Sequence, residues 1–148
     1  MKSIFNPEDN QEIIDRINKL NSNSEAKWGK MNVSQMLKHC QAPIDLAIGT
    51  IELQPNFIIR LIGKYFKNMI IKKEFQKNSP TIPHFIFKSE YDFIESKQEL
   101  IEKVEKFALN GTSIIKNQKH PIFGKLTYQE WDILQWKHLN HHLNQFGV

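Results

Sequence analysis

His138 and His142 stand four residues apart in the run Lys137-His138-Leu139-Asn140-His141-His142-Leu143-Asn144-Gln145. On a helix this spacing stacks two imidazoles on one face, about one turn apart, within reach of a single divalent ion. They fall on the apolar side of that helix, where an unpartnered polar group would cost stability. A third histidine, His39, belongs to another helix whose expected position can meet them. Three neutral imidazoles leave a divalent ion its full charge and at least one open position. That arrangement favours catalysis over purely structural binding, where four protein ligands are the rule. Zinc suits such a set, as do nickel and other imidazole-binding metals. An ion held this way lowers the pKa of a bound water to about 7 or holds a substrate thiolate. No Glu directly follows His138, so the pattern is not the His-Glu-x-x-His helix of zinc proteases.

Each residue also has a plainer reading. His138 and His142 alone could be a surface or capped pair, and His39 alone a hydrogen-bonded core histidine. Agreement of level and facing between the two helices favours ligation for all three. His141 points about a quarter turn away and lines the cleft or faces solvent. Gln145, three residues beyond His142, either steadies an imidazole or simply ends the helix. His120 precedes Pro121-Ile122-Phe123-Gly124 and reads as a loop histidine that could line a pocket. His84 has no evident partner. Cys40 sits at the centre of an apolar face as a small core residue, and Trp28, Trp131 and Trp136 read as packing residues.

The elements that must position these residues are helices. Helix one runs from Pro7 to about Leu20, with Asn6 as cap, Pro7 in the first turn, and Ile13, Ile14, Ile17 and Leu20 as its stripe. Asn21-Ser22-Asn23-Ser24 is a loop. Helix two runs from Asn32 or Val33 to Ile48 and stops at Gly49. Val33, Met36, Leu37, Cys40, Ile44 and Ala47 share a face, and His39 lies about 100° from its centre. Between Gly49 and about Asp92 comes a long connection with Pro55, Pro80 and Pro83, including a helix around Phe57 to Phe66. Helix three spans Asp92 or Ser96 to Leu109, with a capping box expected between Ser96 and Glu99. Asn110-Gly111 ends it. Helix four opens on a Thr127–Glu130 capping box and a Leu126–Trp131 staple, and runs to about Gln145. Two short connections and one long one predict an all-α four-helix bundle. His39 lies roughly 9 Å along helix two, and His138 and His142 lie roughly 4–10 Å from the end of helix four. Antiparallel neighbours would bring all three to one level.

Composition bounds the rest. A chain of 148 residues, 40% hydrophobic, with ten Phe and three Trp, fits one globular domain over residues 1–148 with a sizeable core. The start lacks the charged, apolar and cleavage regions of a signal peptide, and a single cysteine suits a cytoplasmic protein. A net charge of +4 invites a nucleic-acid partner, but acids are interspersed with bases along most of the chain, and no nucleic-acid role is expected. The surplus gathers between Phe57 and Lys73, where Arg60, Lys64, Lys67, Lys72 and Lys73 alternate with apolar residues and no acid. Its charges and short length exclude a membrane span. It reads as a connector packing its apolar side on the bundle, with membrane-surface or partner binding as the alternative.

Two stretches carry a family resemblance. Trp28-Gly29-Lys30-Met31-Asn32-Val33-Ser34-Gln35-Met36-Leu37-Lys38-His39 resembles the start of helix two in the DinB-like superfamily. His120-Pro121-Ile122-Phe123-Gly124-Lys125-Leu126-Thr127, followed by Trp131 and the run from His138 to Phe146, resembles one branch of it. The resemblance implies a four-helix bundle of up-down-down-up order with a long crossover from helix two to helix three. It implies a metal triad at His39, His138 and His142. Members of that superfamily include metal-dependent thiol transferases that use bacillithiol or related low-molecular-weight thiols, and a mycothiol-dependent isomerase. By that resemblance the chain is expected to be a metal-dependent thiol S-transferase or hydrolase acting on a small molecule. Superfamily members that pair through their bundles make a homodimer a further expectation. The rival reading, from another class, is a non-catalytic bundle that binds metal or a partner.

Overall fold

The computed structural model describes residues 2–54, 61, 63, 67 and 70–148. It is all-α, apart from two strands of two residues each. Helix α1 spans Pro7–Asn18; the Asn6 side chain accepts hydrogen bonds from the backbone N–H groups of Glu8 and Asp9. It ends two residues before Leu20, where the Lys19 N–H turns back onto the Asp15 and Arg16 carbonyls. Helix α2 spans Val33–Ile48 and opens on a reciprocal capping box between Asn32 and Gln35. It closes at Gly49, whose φ of 79° lies in the left-handed region that glycine enters without a Cβ penalty.

Pro43 lies inside α2 and is buried there. A proline has no N–H for the carbonyl four residues earlier, so the helix forgoes its bond at His39.

Helix α3 spans Phe93–Asn110. Its cap is Asp92, which accepts from the Glu95 N–H at 2.8 Å. The expected Ser96–Glu99 box is therefore corrected: Ser96 is a fully buried residue one turn inside the helix, and its hydroxyl faces the core. Helix α4 spans Tyr128–Gln145, and its Thr127–Glu130 box forms as the sequence predicts. Short 3-10 turns occupy Pro83–Phe85 and Gly111–Ile114. Strands β1 (Lys119–His120) and β2 (Gly124–Lys125) pair antiparallel, with Lys119 opposite Lys125 and His120 opposite Gly124.

Helix α2 packs on α3 and α4, and α1 packs on the same two. Buried bonds fix the levels. Gln135 Nε2 donates to the Pro43 carbonyl at 2.9 Å, and the Asn10 amide donates to the Val104 carbonyl at 2.8 Å. Lys103 reaches Asp45 at 2.7 Å, and Lys38 pairs with Glu99. Arg16 donates to Asn140 and Asn144, while the Ile4 N–H donates to Asp132. The core between these helices includes Ile13, Ile17, Met36, Leu37, Ile44, Leu100, Val104, Phe107, Trp131 and Leu139, each essentially solvent-free. Burying a side chain of this size contributes about 1.5–3 kcal/mol. The three tryptophans divide: Trp131 is core, while Trp28 and Trp136 are half-buried.

Of the helix expected over residues 57–66 only 61 and 63 are described, and both are helical; the rest of it, and most of the basic segment 57–73, lie outside the described residues. Within that segment Lys67 pairs with Glu130 at 2.8 Å, and so ties the connection to the start of α4. Among the described residues, no helix is long and apolar enough to cross a membrane.

Candidate metal centre

His39 stands on the second turn of α2, and His138 and His142 on the last two turns of α4. One ligating nitrogen from each lies within 4.8 Å of the others. His39 Nε2 and His138 Nε2 are 3.0 Å apart. The ring centroids are separated by 4.9 Å for His39–His138, 4.6 Å for His39–His142 and 4.7 Å for His138–His142. Three histidines that the sequence places on two separate helices therefore meet in one cluster. His39 is 5% exposed, so α4 covers what the helical wheel makes the edge of an apolar face.

Burial sets the charge state. It holds His142 down at a pKa of about 3, with the neighbouring His39 adding to the effect. It pushes His138 well below the usual imidazole range, assisted by His142 and His39. It lowers His39 as well, against the opposing pull of the Phe85 carbonyl. The three rings are neutral near pH 7, which is the form that ligates metal.

The donor set fits an imidazole-binding divalent ion. The Phe85 carbonyl accepts from His39 Nδ1 at 2.8 Å. A carbonyl can only accept, so Nδ1 carries the proton and the Nε2 lone pair is left facing the cluster. Ligand nitrogens at about 2.0–2.1 Å on a tetrahedral ion stand roughly 3.3 Å from one another, close to the His39–His138 separation. His138 Nδ1 is enclosed and has no hydrogen-bond partner among the described residues. An orphaned nitrogen beside a crowd of lone pairs is a costly arrangement for a core and an understandable one for a ligand set. No carboxylate or thiol joins the cluster among the described residues, so it carries no negative charge of its own.

The other candidates lie elsewhere or at the margin. Cys40 turns into the core against the sulfur of Met36 at 3.6 Å, and burial raises its thiol pKa. His120 is buried on Trp131, and its Nδ1 accepts from the N–H groups of Ile122 and Phe123 at 3.1 and 3.2 Å. It holds the β1–β2 turn and does not reach the cluster. His84 is exposed. His141 flanks His142, with Trp28 and Phe75 packed around it. Gln145 Oε1 lies 2.7 Å from His142 Nδ1. The Phe85 carbonyl is the partner that sequence reasoning misses, since a backbone atom 46 positions away leaves no residue-type signal.

No curated protein and no solved structure matches the chain. One family profile, described as a protein of unknown function (DUF1569), matches residues 3–147. Nearly the whole fold just described falls inside that match, and the chain belongs to the DUF1569 family.

Proposed function

We propose that this chain is a metal-dependent enzyme of the DinB-like type, a thiol S-transferase or hydrolase acting on a small molecule. His39, His138 and His142 hold its divalent ion, with zinc or nickel the best-matched metals. The observation that carries this reading is the convergence of three neutral imidazoles, with no fourth protein ligand among the described residues. A bound ion would supply Lewis acidity at its open position, favouring the deprotonated form of a water or of a small thiol. The chain's own part is orientation: α2 and α4 present the nitrogens, Phe85 fixes one ring, and burial keeps all three rings neutral.

The cross-helix bonds support an up-down-down-up four-helix bundle. Passing from His39 to Pro43 on α2 corresponds to passing back from His138 to Gln135 on α4, so these two run oppositely. Ile4 meets Asp132 and Arg16 meets Asn144, so α1 and α4 run together. Lys38 meets Glu99 and Asp45 meets Lys103, so α2 and α3 run together.

Metal analysis of wild type beside His39→Ala, His138→Ala and His142→Ala tests the site. One equivalent in wild type, lost in each variant, is expected; stoichiometric metal in all three variants would move the site elsewhere. The loaded protein is then assayed with a free low-molecular-weight thiol plus an electrophile, and with small esters. A metal-loaded protein that turns over neither would leave a non-catalytic metal-binding bundle as the better reading.

A further inference from the structure

Gln145 is 3% exposed, and each atom of its amide has one short contact. One atom lies 2.6 Å from the Trp28 carbonyl oxygen. Only an N–H₂ group can approach a carbonyl so closely with a favourable bond, so this atom is Nε2 and the opposite atom is the carbonyl oxygen. That oxygen faces His142 Nδ1 at 2.7 Å and can only accept. The proton of neutral His142 therefore sits on Nδ1, and the Nε2 lone pair points away from Gln145.

The clamp reaches into the loop before α2. The Lys27 N–H donates to the Gln145 backbone carbonyl at 2.7 Å, so residues 27 and 28 grip Gln145 at both main chain and side chain. Gly29 follows them with φ +85°, and a Cβ placed on it would lie 2.5 Å from Gln145 Nε2. The absence of a side chain at Gly29 is what leaves the amide its place. Its left-handed backbone is one that other residues adopt only at a cost.

We propose that Gln145, held by the Trp28 carbonyl and the bare Cα of Gly29, is a positioning residue that locks His142 in the Nδ1–H form and so aims its Nε2 at the metal position. The consequence for metal affinity rests on the triad being the metal site; the tautomer does not. Partners of this kind commonly change metal affinity by about 10–100-fold.

Imidazole ¹⁵N chemical shifts of the metal-free protein read the tautomer directly, and chelator competition reads zinc affinity. Wild type should show His142 protonated at Nδ1 and bare at Nε2. In Gln145→Leu the Nε2–H form should gain population and zinc affinity should fall about 10–100-fold. Gly29→Ala, which displaces the amide without removing it, should shift the tautomer in the same direction as Gln145→Leu and keep the inference testable if the leucine variant misfolds. A wild-type His142 carrying its proton on Nε2, or an unchanged tautomer in both Gln145→Leu and Gly29→Ala, would overturn the inference. A wild type with the expected tautomer but no zinc affinity would uphold the clamp and defeat the metal reading alone.

Discussion

Gln135 on α4 donates its amide to the carbonyl of Pro43 on α2 at 2.9 Å, about one helical turn from the His39–His138 contact. This bond sets the register between the two helices that carry the triad. Its other amide atom, Oε1, is buried and lacks a partner among the described residues. Substitution therefore has two opposing effects. Gln135→Leu, similar in volume, loses one hydrogen bond and also removes the unpartnered oxygen, so stability should change by less than about 1 kcal/mol. Gln135→Ala leaves a cavity at a site with no solvent exposure and should cost about 2–4 kcal/mol. Urea denaturation of the two variants separates packing from hydrogen bonding. Equal losses in both would mean that the bond, and not the volume, dominates.

His120 gives a pH prediction at a residue that is not a member of the triad, although its charge also acts on His138. Burial holds its pKa at about 3, whereas in the unfolded chain it titrates near 6.5. Between those values the unfolded state binds the proton and the folded state does not, so stability falls as the pH drops from 6.5 towards 3. The slope for one such histidine is about 1.4 kcal/mol per pH unit once the pH is well below 6.5. Protonation would also end the acceptance of the Ile122 and Phe123 N–H groups by Nδ1. An asparagine offers an acceptor oxygen without a titrating group. His120→Asn should therefore flatten the acid limb of the stability curve by about that slope, measured by denaturation from pH 7 to pH 4. An unaltered limb would show that His120 is accessible to protons in the fold.

Local signals made most of the scaffold readable. The Asn6 cap, the Asn32 start of α2 and the Thr127–Glu130 box lie within four residues of the ends they define, and all three form. The histidine triad was readable because its pair obeys helical spacing and its third member falls at a matching depth. What sequence could not supply is non-local. Asp92–Glu95 and Ser96–Glu99 have the same spacing, and only packing chooses between them: Ser96 is drawn into the core, so the cap moves to Asp92. Helix two, by contrast, runs through Pro43 to Ile48 as the sequence predicts, although proline disfavours a helix interior by local preference. Strands of two residues are too short to show periodicity, and the hairpin at Lys119–Lys125 is invisible for that reason.

His138 is where the cost of the site should be measurable. Its Nδ1 is enclosed without a partner among the described residues, and its Nε2 meets only the His39 nitrogen at 3.0 Å. Leaving a buried polar atom unsatisfied costs about 1–3 kcal/mol. In the metal-free protein, His138→Leu should therefore be as stable as wild type or up to about 2 kcal/mol more stable, because an apolar side chain removes that liability. With metal the order should reverse. A ligand that binds only the folded state adds RT ln(1 + [L]/Kd), about 2.7 kcal/mol at a hundredfold excess over Kd. Wild type should gain this and the variant should not. Urea denaturation of both proteins, once in a chelator and once in excess zinc, gives the four values needed. A variant less stable than wild type in the chelator would mean that His138 contributes to the fold through contacts beyond these. A variant that still gains stability from zinc would show that the ion is held without it.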